Sequence, residues 1–334
     1  FNNCKFLRNT ATEGGGAISI VTYHGCRIEN CEFTENKADA GCSAIYIETS
    51  NQNSANIEII SSNFKENGKN IENSVVSFSN SLYTPITIQN CNFLNCKITK
   101  EVISVPSNVK SIQIKSSEIK FTNSNGQGGI SIQSTGKIEI NSVKFLSTSK
   151  KSALRIVSSD TSNEIIINEC TFDSCSLAEH ICFYLSLNSN LVTFQNTIIN
   201  NIKANSCTNY VGIIDFNNKQ ITMIMRNVTF TNNVCHSLYG GGIGVNFINM
   251  YQIIFQDCNF SLNQARQDNS MSRPNQLNKD SYYNGDGGAI QLGYNCKTND
   301  ILVDFEHCYF ENNKAQRHGG ALAIQTLNNV IIND

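Results

Sequence analysis

The sequence predicts an all-β fold: a right-handed parallel β-helix solenoid of about eleven rungs, each built from three short strands. Three observations lead there. An aromatic or isoleucine slot recurs in register at Phe6, Phe33, Phe64, Phe93, Ile119, Phe145, Phe172, Ile199, Phe230, Phe260 and Phe310, in steps of 26 to 31 residues apart from one of 50. Apolar pairs at spacing two flank each slot, such as Ile57/Ile59 and Val303/Phe305 before it and Ile18/Ile20 and Leu322/Ile324 after it. That spacing puts both side chains on one face of a strand. No segment sustains a 3.6-residue apolar stripe for the length of an ordinary helix. Units of about 27 residues with a single inward face cannot bury themselves alone. Stacking closes them into a prism with one continuous core, its turns paired in parallel ~4.8 Å apart. A leucine-rich horseshoe would need a shorter, leucine-dominated period.

The first two rungs, to about Ala55, are regular, with Gly14 to Gly16 and then Gly41 ahead of their last strands. Glycine there permits a positive φ or a close approach between turns. Rungs three to eight, about Asn56 to Lys219, keep the strand pairs but lose the glycine pair except at Gly128 and Gly129. Polar connectors such as Ser158–Asn163 replace it. From Gln220 the full pattern returns, and the 50-residue step marks a lateral insertion at about 266–286 in the tenth rung. A loop of that length leaving a compact rung is usually functional or disordered. Its candidate ligand- or partner-contacting residues are Asp268, Arg273, Asp280, Tyr282, Tyr283 and Asp286.

Each rung contacts only its neighbours, so residues 1–334 read as a single domain despite their length. Val330 and Ile332 have the spacing of a further apolar pair whose slot would fall at 337, so a segment of a longer chain is expected. A net charge of −2 with 16% charged residues argues against nucleic acid as a partner. No apolar run approaches the ~18 residues of a transmembrane helix.

Six of the fourteen cysteines share one column, two before the slot: Cys4, Cys31, Cys91, Cys170, Cys258 and Cys308. Other rungs place Ser62, Ser117, Val143, Thr197 and Val228 there, which describes a small, buried, tolerant site. Core filling is the expected role. A bridge across the C-x4-C corners (Cys26/Cys31, Cys91/Cys96, Cys170/Cys175) is the alternative, and the absence of C-x2-C and of histidine at zinc spacing argues against metal. No cofactor is expected. Three residues after the slot lies a second column, Asn9, Asn36, Asn67, Asn233, Asn263 and Asn313. Stacked amides in register form a hydrogen-bonded ladder, and asparagine also tolerates a left-handed turn. Sequons at Asn227 and Asn259 are candidate glycosylation sites if their side chains point outward.

Sugar-cleaving β-helices need two or three carboxylates converging on one face. Here Glu58, Glu118, Glu139 and Glu164 are dispersed over outward strand positions or rung edges. No catalytic residue is assigned.

The tetrapeptides F-x-x-N and G-G-A-I pair at Phe6–Asn9 with Gly15–Ile18 and at Phe260–Asn263 with Gly287–Ile290, and Phe310–Asn313 pairs with Gly319–Leu322. On these residues the chain resembles the polymorphic outer-membrane-protein repeat of bacterial autotransporter adhesins, found also in protist surface proteins. The resemblance implies a pectin-lyase-like β-helical stalk, extracellular or at the cell surface, used in adhesion or coating. The expected function is therefore non-enzymatic: a structural or adhesive rod that stacks into larger assemblies, with other protein chains or cell-surface glycans as partners. A polysaccharide lyase or hydrolase of the same fold is the first alternative, since fold does not settle function. An intracellular filament-associated module is the second.

Overall fold

The computed structural model describes residues 1–22, 24–49, 56–68, 74–79, 84–105, 109–121, 128–134, 136–148, 151–158, 164–177, 182–188, 191–204, 212–216, 221–236, 243–247, 250–266, 287–292, 302–316, 319–324 and 330–333. It is an all-β parallel solenoid, with no helix among the described residues. Three parallel sheets of eleven strands each run its length. Sheet I stacks three-residue strands from Lys5–Leu7 to Tyr309–Glu311. Sheet II runs from Ile18–Thr22 to Leu322–Ile324, and sheet III from Cys26–Glu29 to Val330–Asn333.

The slot sets the register. Phe6 pairs with Phe33, Phe33 with Phe64, and Phe64 with Phe93 along sheet I. Their rings point inward and stack at centroid distances of 4.9, 4.8 and 4.6 Å, within 8° of parallel. Ile119 and Ile199 occupy the same row without a ring, and the stack resumes at Phe145–Phe172 and Phe230–Phe260. Apolar pairs line the other two walls: Leu154–Ser158 and Glu164–Asn168 alternate buried and half-buried residues, as a period of two requires. The interior is one contiguous apolar column.

Two features depart from the expected rung. Some rungs carry a fourth, short strand between sheets I and II. These form a five-stranded sheet from Ser176–Leu177 to Lys314–Ala315 and a pair at Thr10–Ala11 and Lys37–Ala38. Such strands turn a single small residue inward, Ala204, Cys235 and Ala265 in register. One inward residue leaves no alternating pair in the sequence.

The second departure concerns the corners. The left-handed residues are not those of the asparagine column but lie two after and three before the slot. The column three before it spans every rung, from Asn3 to His307, with φ between 48° and 55°. The column two after it includes Arg8, Glu35, Asn201, Asn232 and Leu262. A strand of three residues held between two sharp corners needs a left-handed residue at each end, and Asn, Asp and His, all present in the first column, accept that conformation at least cost among non-glycine residues. The glycines divide their work. Gly287 and Gly319 have φ of +63° and +57°, whereas a Cβ on Gly288 would lie 2.1 Å from the Gly320 carbonyl oxygen of the next rung.

Candidate functional site: the outer face of sheet I

Because the slot side chain points inward, its two strand neighbours point outward, and the corners rise on either side of them. Over the first five rungs this makes an open trough of about 840 Å³. One row of its floor is Lys5, Glu32, Asn63, Asn92 and Glu118; Thr34, Lys65, Leu94 and Lys120 belong to the other. Lys5 Nζ lies 3.6 Å from Glu32, and Asn92 Nδ2 donates to Asn63 Oδ1 at 2.9 Å. The same two rows continue along the face through Thr171, Ile198, Thr229, Asn259 and Tyr309, and through Asp173, Asn200, Thr231, Ser261 and Glu311.

Outer amides are linked from rung to rung. Asn168 Nδ2 donates to Asn141 Oδ1 at 3.2 Å, Asn196 Nδ2 to Asn168 Oδ1 at 3.1 Å, and Asn227 Nδ2 to Asn196 Oδ1 at 2.9 Å. On the opposite wall Asn200 and Asn201 both donate to Asp173 Oδ1, and Asn232 donates to Asn201 Oδ1. Asparagine three before the slot recurs at Asn3, Asn30, Asn90, Asn196 and Asn227, a column of which only the Asn227 sequon stands out in the sequence.

The predicted asparagine column is an internal ladder. Asn36 Oδ1 accepts from the Asn9 backbone N and Nδ2 at 3.0 and 2.9 Å, and Asn67 Oδ1 accepts likewise from Asn36. Asn233, Asn263 and Asn313 repeat the arrangement. Each inner amide also donates to a slot-residue carbonyl one rung back, as Asn67 Nδ2 does to Phe33 O at 2.8 Å. Where cysteine replaces asparagine the contact survives in weaker form, Cys96 Sγ lying 3.7 Å from Phe64 O.

The described cysteines are all free thiols, the three x4 pairs included. In the cysteine column each thiol donates to the carbonyl two residues before it, as Cys91 does to Gln89 O at 3.3 Å. A hydroxyl in the next rung accepts from the cysteine backbone N: Ser62 for Cys31, Ser117 for Cys91 and Thr197 for Cys170. Burial pushes the Cys91 thiol up to about 11 and those of Cys96 and Cys170 to about 12. Such thiols stay protonated and act as small apolar groups. Cys258 and Cys308, in neighbouring rungs, behave differently. A hydrogen bond between them lowers the Cys308 thiol and raises that of Cys258.

The insertion candidates Asp268, Arg273, Asp280, Tyr282, Tyr283 and Asp286 lie outside the described residues. Asn227 stands exposed at a left-handed corner. Asn259 is half-buried in its strand, with Oδ1 shut away from solvent and lacking a hydrogen-bond partner. The strand carboxylates meet bases on neighbouring rungs: Glu58 lies 2.5 Å from Arg27, Glu139 3.1 Å from Lys115 and Glu164 2.7 Å from Lys137.

No curated protein matches the chain, and neither does any solved structure. Residues 3–21 and 307–325 match the Chlamydia polymorphic membrane protein (Chlamydia_PMP) repeat, and each span takes in a left-handed corner, the sheet I strand after it and residues of sheet II. The chain is thus a parallel β-helix similar to the polymorphic membrane proteins in the repeat it carries at these two places.

Proposed function

We propose that this chain is a surface-associated structural rod whose flanks present binding area, and that the outer face of sheet I is the adhesive flank. The observation that carries this reading is the repeat itself. Its two matched spans share one register, and from the first to the last of them eleven slots set outward side chains in line along sheet I. A stiff column with regularly spaced outward groups suits contact with other chains or with surface glycans outside the cell.

The chain is not an enzyme on this reading. What supports this is that Glu58, Glu139 and Glu164 each face lysine or arginine on a neighbouring rung. Surface labelling of intact source cells with an antibody raised against the folded protein tests the location, and beads coated with the protein test adhesion. Staining that requires permeabilised cells would refute the surface reading; beads that fail to bind cells while staining succeeds would refute adhesion alone.

A further inference from the structure

Charge divides the outer face of sheet I along its length. The first five rungs carry Lys5, Glu32, Lys65, Glu118 and Lys120 in the two outward rows. From the rung of Thr171 to that of Ser261 the rows hold hydroxyls, amides and an isoleucine, with Asp173 as their one carboxylate. Asp173 Oδ1 accepts from Asn200 at 3.2 Å and from Asn201 at 3.0 Å, so it is already engaged by amide donors.

We propose that this strip, from Thr171 to Tyr309, binds an extended, uncharged β-linked glycan lying along the helix axis. The inference rests on the surface-rod reading and names the ligand of its adhesive flank. Three properties of the strip select that ligand. Apart from Asp173, which amides already engage, and Glu311 at the far end, its groups are neutral donors and acceptors, which match sugar hydroxyls and give an ionic polymer little to pair with. They repeat at the rung spacing of ~4.8 Å, a step comparable to the advance of one sugar unit in a straight β-linked chain, so each rung meets one sugar and every second rung meets an equivalent face of the ligand. Apolar platforms are interspersed: Ile198 is 47% exposed, Leu262 48% and Tyr309 54%. An exposed tyrosine offers an apolar ring with a polar tip, which fits the mixed surface of a sugar.

The strip is also held in place in the free protein. Ser261 Oγ donates to Thr231 Oγ1 at 3.1 Å, and Asn227 is tied to Asn196. Side chains ordered without ligand lose less entropy on binding. Contact at any one rung is shallow, so affinity should accumulate with ligand length.

The test uses the full 334-residue chain made in bacteria, where Asn227 carries no glycan. Cellohexaose, chitohexaose and their disaccharides are titrated in, with an acidic polygalacturonate oligomer alongside, and binding is read by calorimetry and by amide chemical shifts. At least one neutral hexasaccharide should bind at least 10-fold more tightly than its disaccharide. The double variant Thr229→Lys/Asn259→Lys should lose about 10-fold, equal to ~1.4 kcal/mol. Glu139→Gln, on the outer side of sheet III, should bind like the parent. Failure of both hexasaccharides, preference for the acidic oligomer, or binding undiminished in the double lysine variant would overturn the inference. Cell-surface staining is independent of these titrations, so loss of the glycan leaves the surface location standing.

Discussion

A buried asparagine must place two N–H donors and an acceptor oxygen, and Asn263 places them all within its ladder. Its oxygen accepts from the backbone N and Nδ2 of Asn233, and its own Nδ2 donates to Phe230 O and Asn313 Oδ1. Asn263→Ala would orphan the Asn233 donors in an apolar interior, at a cost of about 2–4 kcal/mol. Chemical denaturation checks this against Asn92→Ala, an exposed amide of sheet I for which about 0.5 kcal/mol or less is expected. The thiols yield a pH prediction. In the folded chain Cys91 titrates at about 11 and Cys96 and Cys170 at about 12, against an ordinary value of 9.0. Between those values the unfolded chain releases protons that the folded chain keeps. Their contribution to stability is therefore complete below about pH 9 and declines as pH rises through the window. Melting temperature should fall between about pH 9 and 12, and a Cys91→Val/Cys96→Val/Cys170→Val variant should flatten that fall. Both columns could be picked out from recurrence in the sequence. The amide ladder was legible with them, but the main-chain partners one rung away, such as Phe230 O for Asn263, and the Ser117 hydroxyl that meets the Cys91 backbone N were not.

Among elements, the three-residue strand of sheet I is the unit on which the others depend. Phe172 is fully buried and stacks on Phe145 at 4.7 Å. Phe172→Ala should cost about 3–5 kcal/mol. Glu139→Gln weakens an ion pair on the flank and should cost about 1 kcal/mol or less. Equal losses in thermal melts would mean that the inward row has been misassigned. On the other side of the rung, Gly288→Ala would force a methyl into the neighbouring backbone, and a drop of more than about 1 kcal/mol is expected. The 50-residue step leaves both flanking pairings in register, Ala265 with Ala315 and Ile290 with Leu322. A chain lacking residues 267–286 should consequently keep its β-rich circular dichroism and cooperative melt, since the rung closes on either side of the cut. The long strands were legible in the sequence because each carries an alternating apolar pair. The two- and three-residue strands of the fourth sheet carry no such alternation and emerge only from the stacking.

For the whole molecule, secretion through a eukaryotic pathway offers a check on which residues face outward. Asn227→Gln should remove a glycan detectable by enzymatic deglycosylation and Asn259→Gln should not, because Asn227 stands clear at a corner while Asn259 Oδ1 is enclosed. The sequence alone determined the solenoid and its inward rows, because a period of two within strands and a recurrent slot between them leave no other way to bury those side chains. It also placed the 50-residue step between the slots Phe260 and Phe310, which pair in register. The tertiary structure decided where the left-handed corners lie and which outward residues share a flank. Those residues sit 26 to 31 positions apart in the chain, or 50 across the insertion, and are neighbours only after every intervening corner has turned by the right amount. The division of the sheet I face into a charged trough and a neutral strip follows from that winding, whose local signal in any one repeat is a single ordinary polar residue.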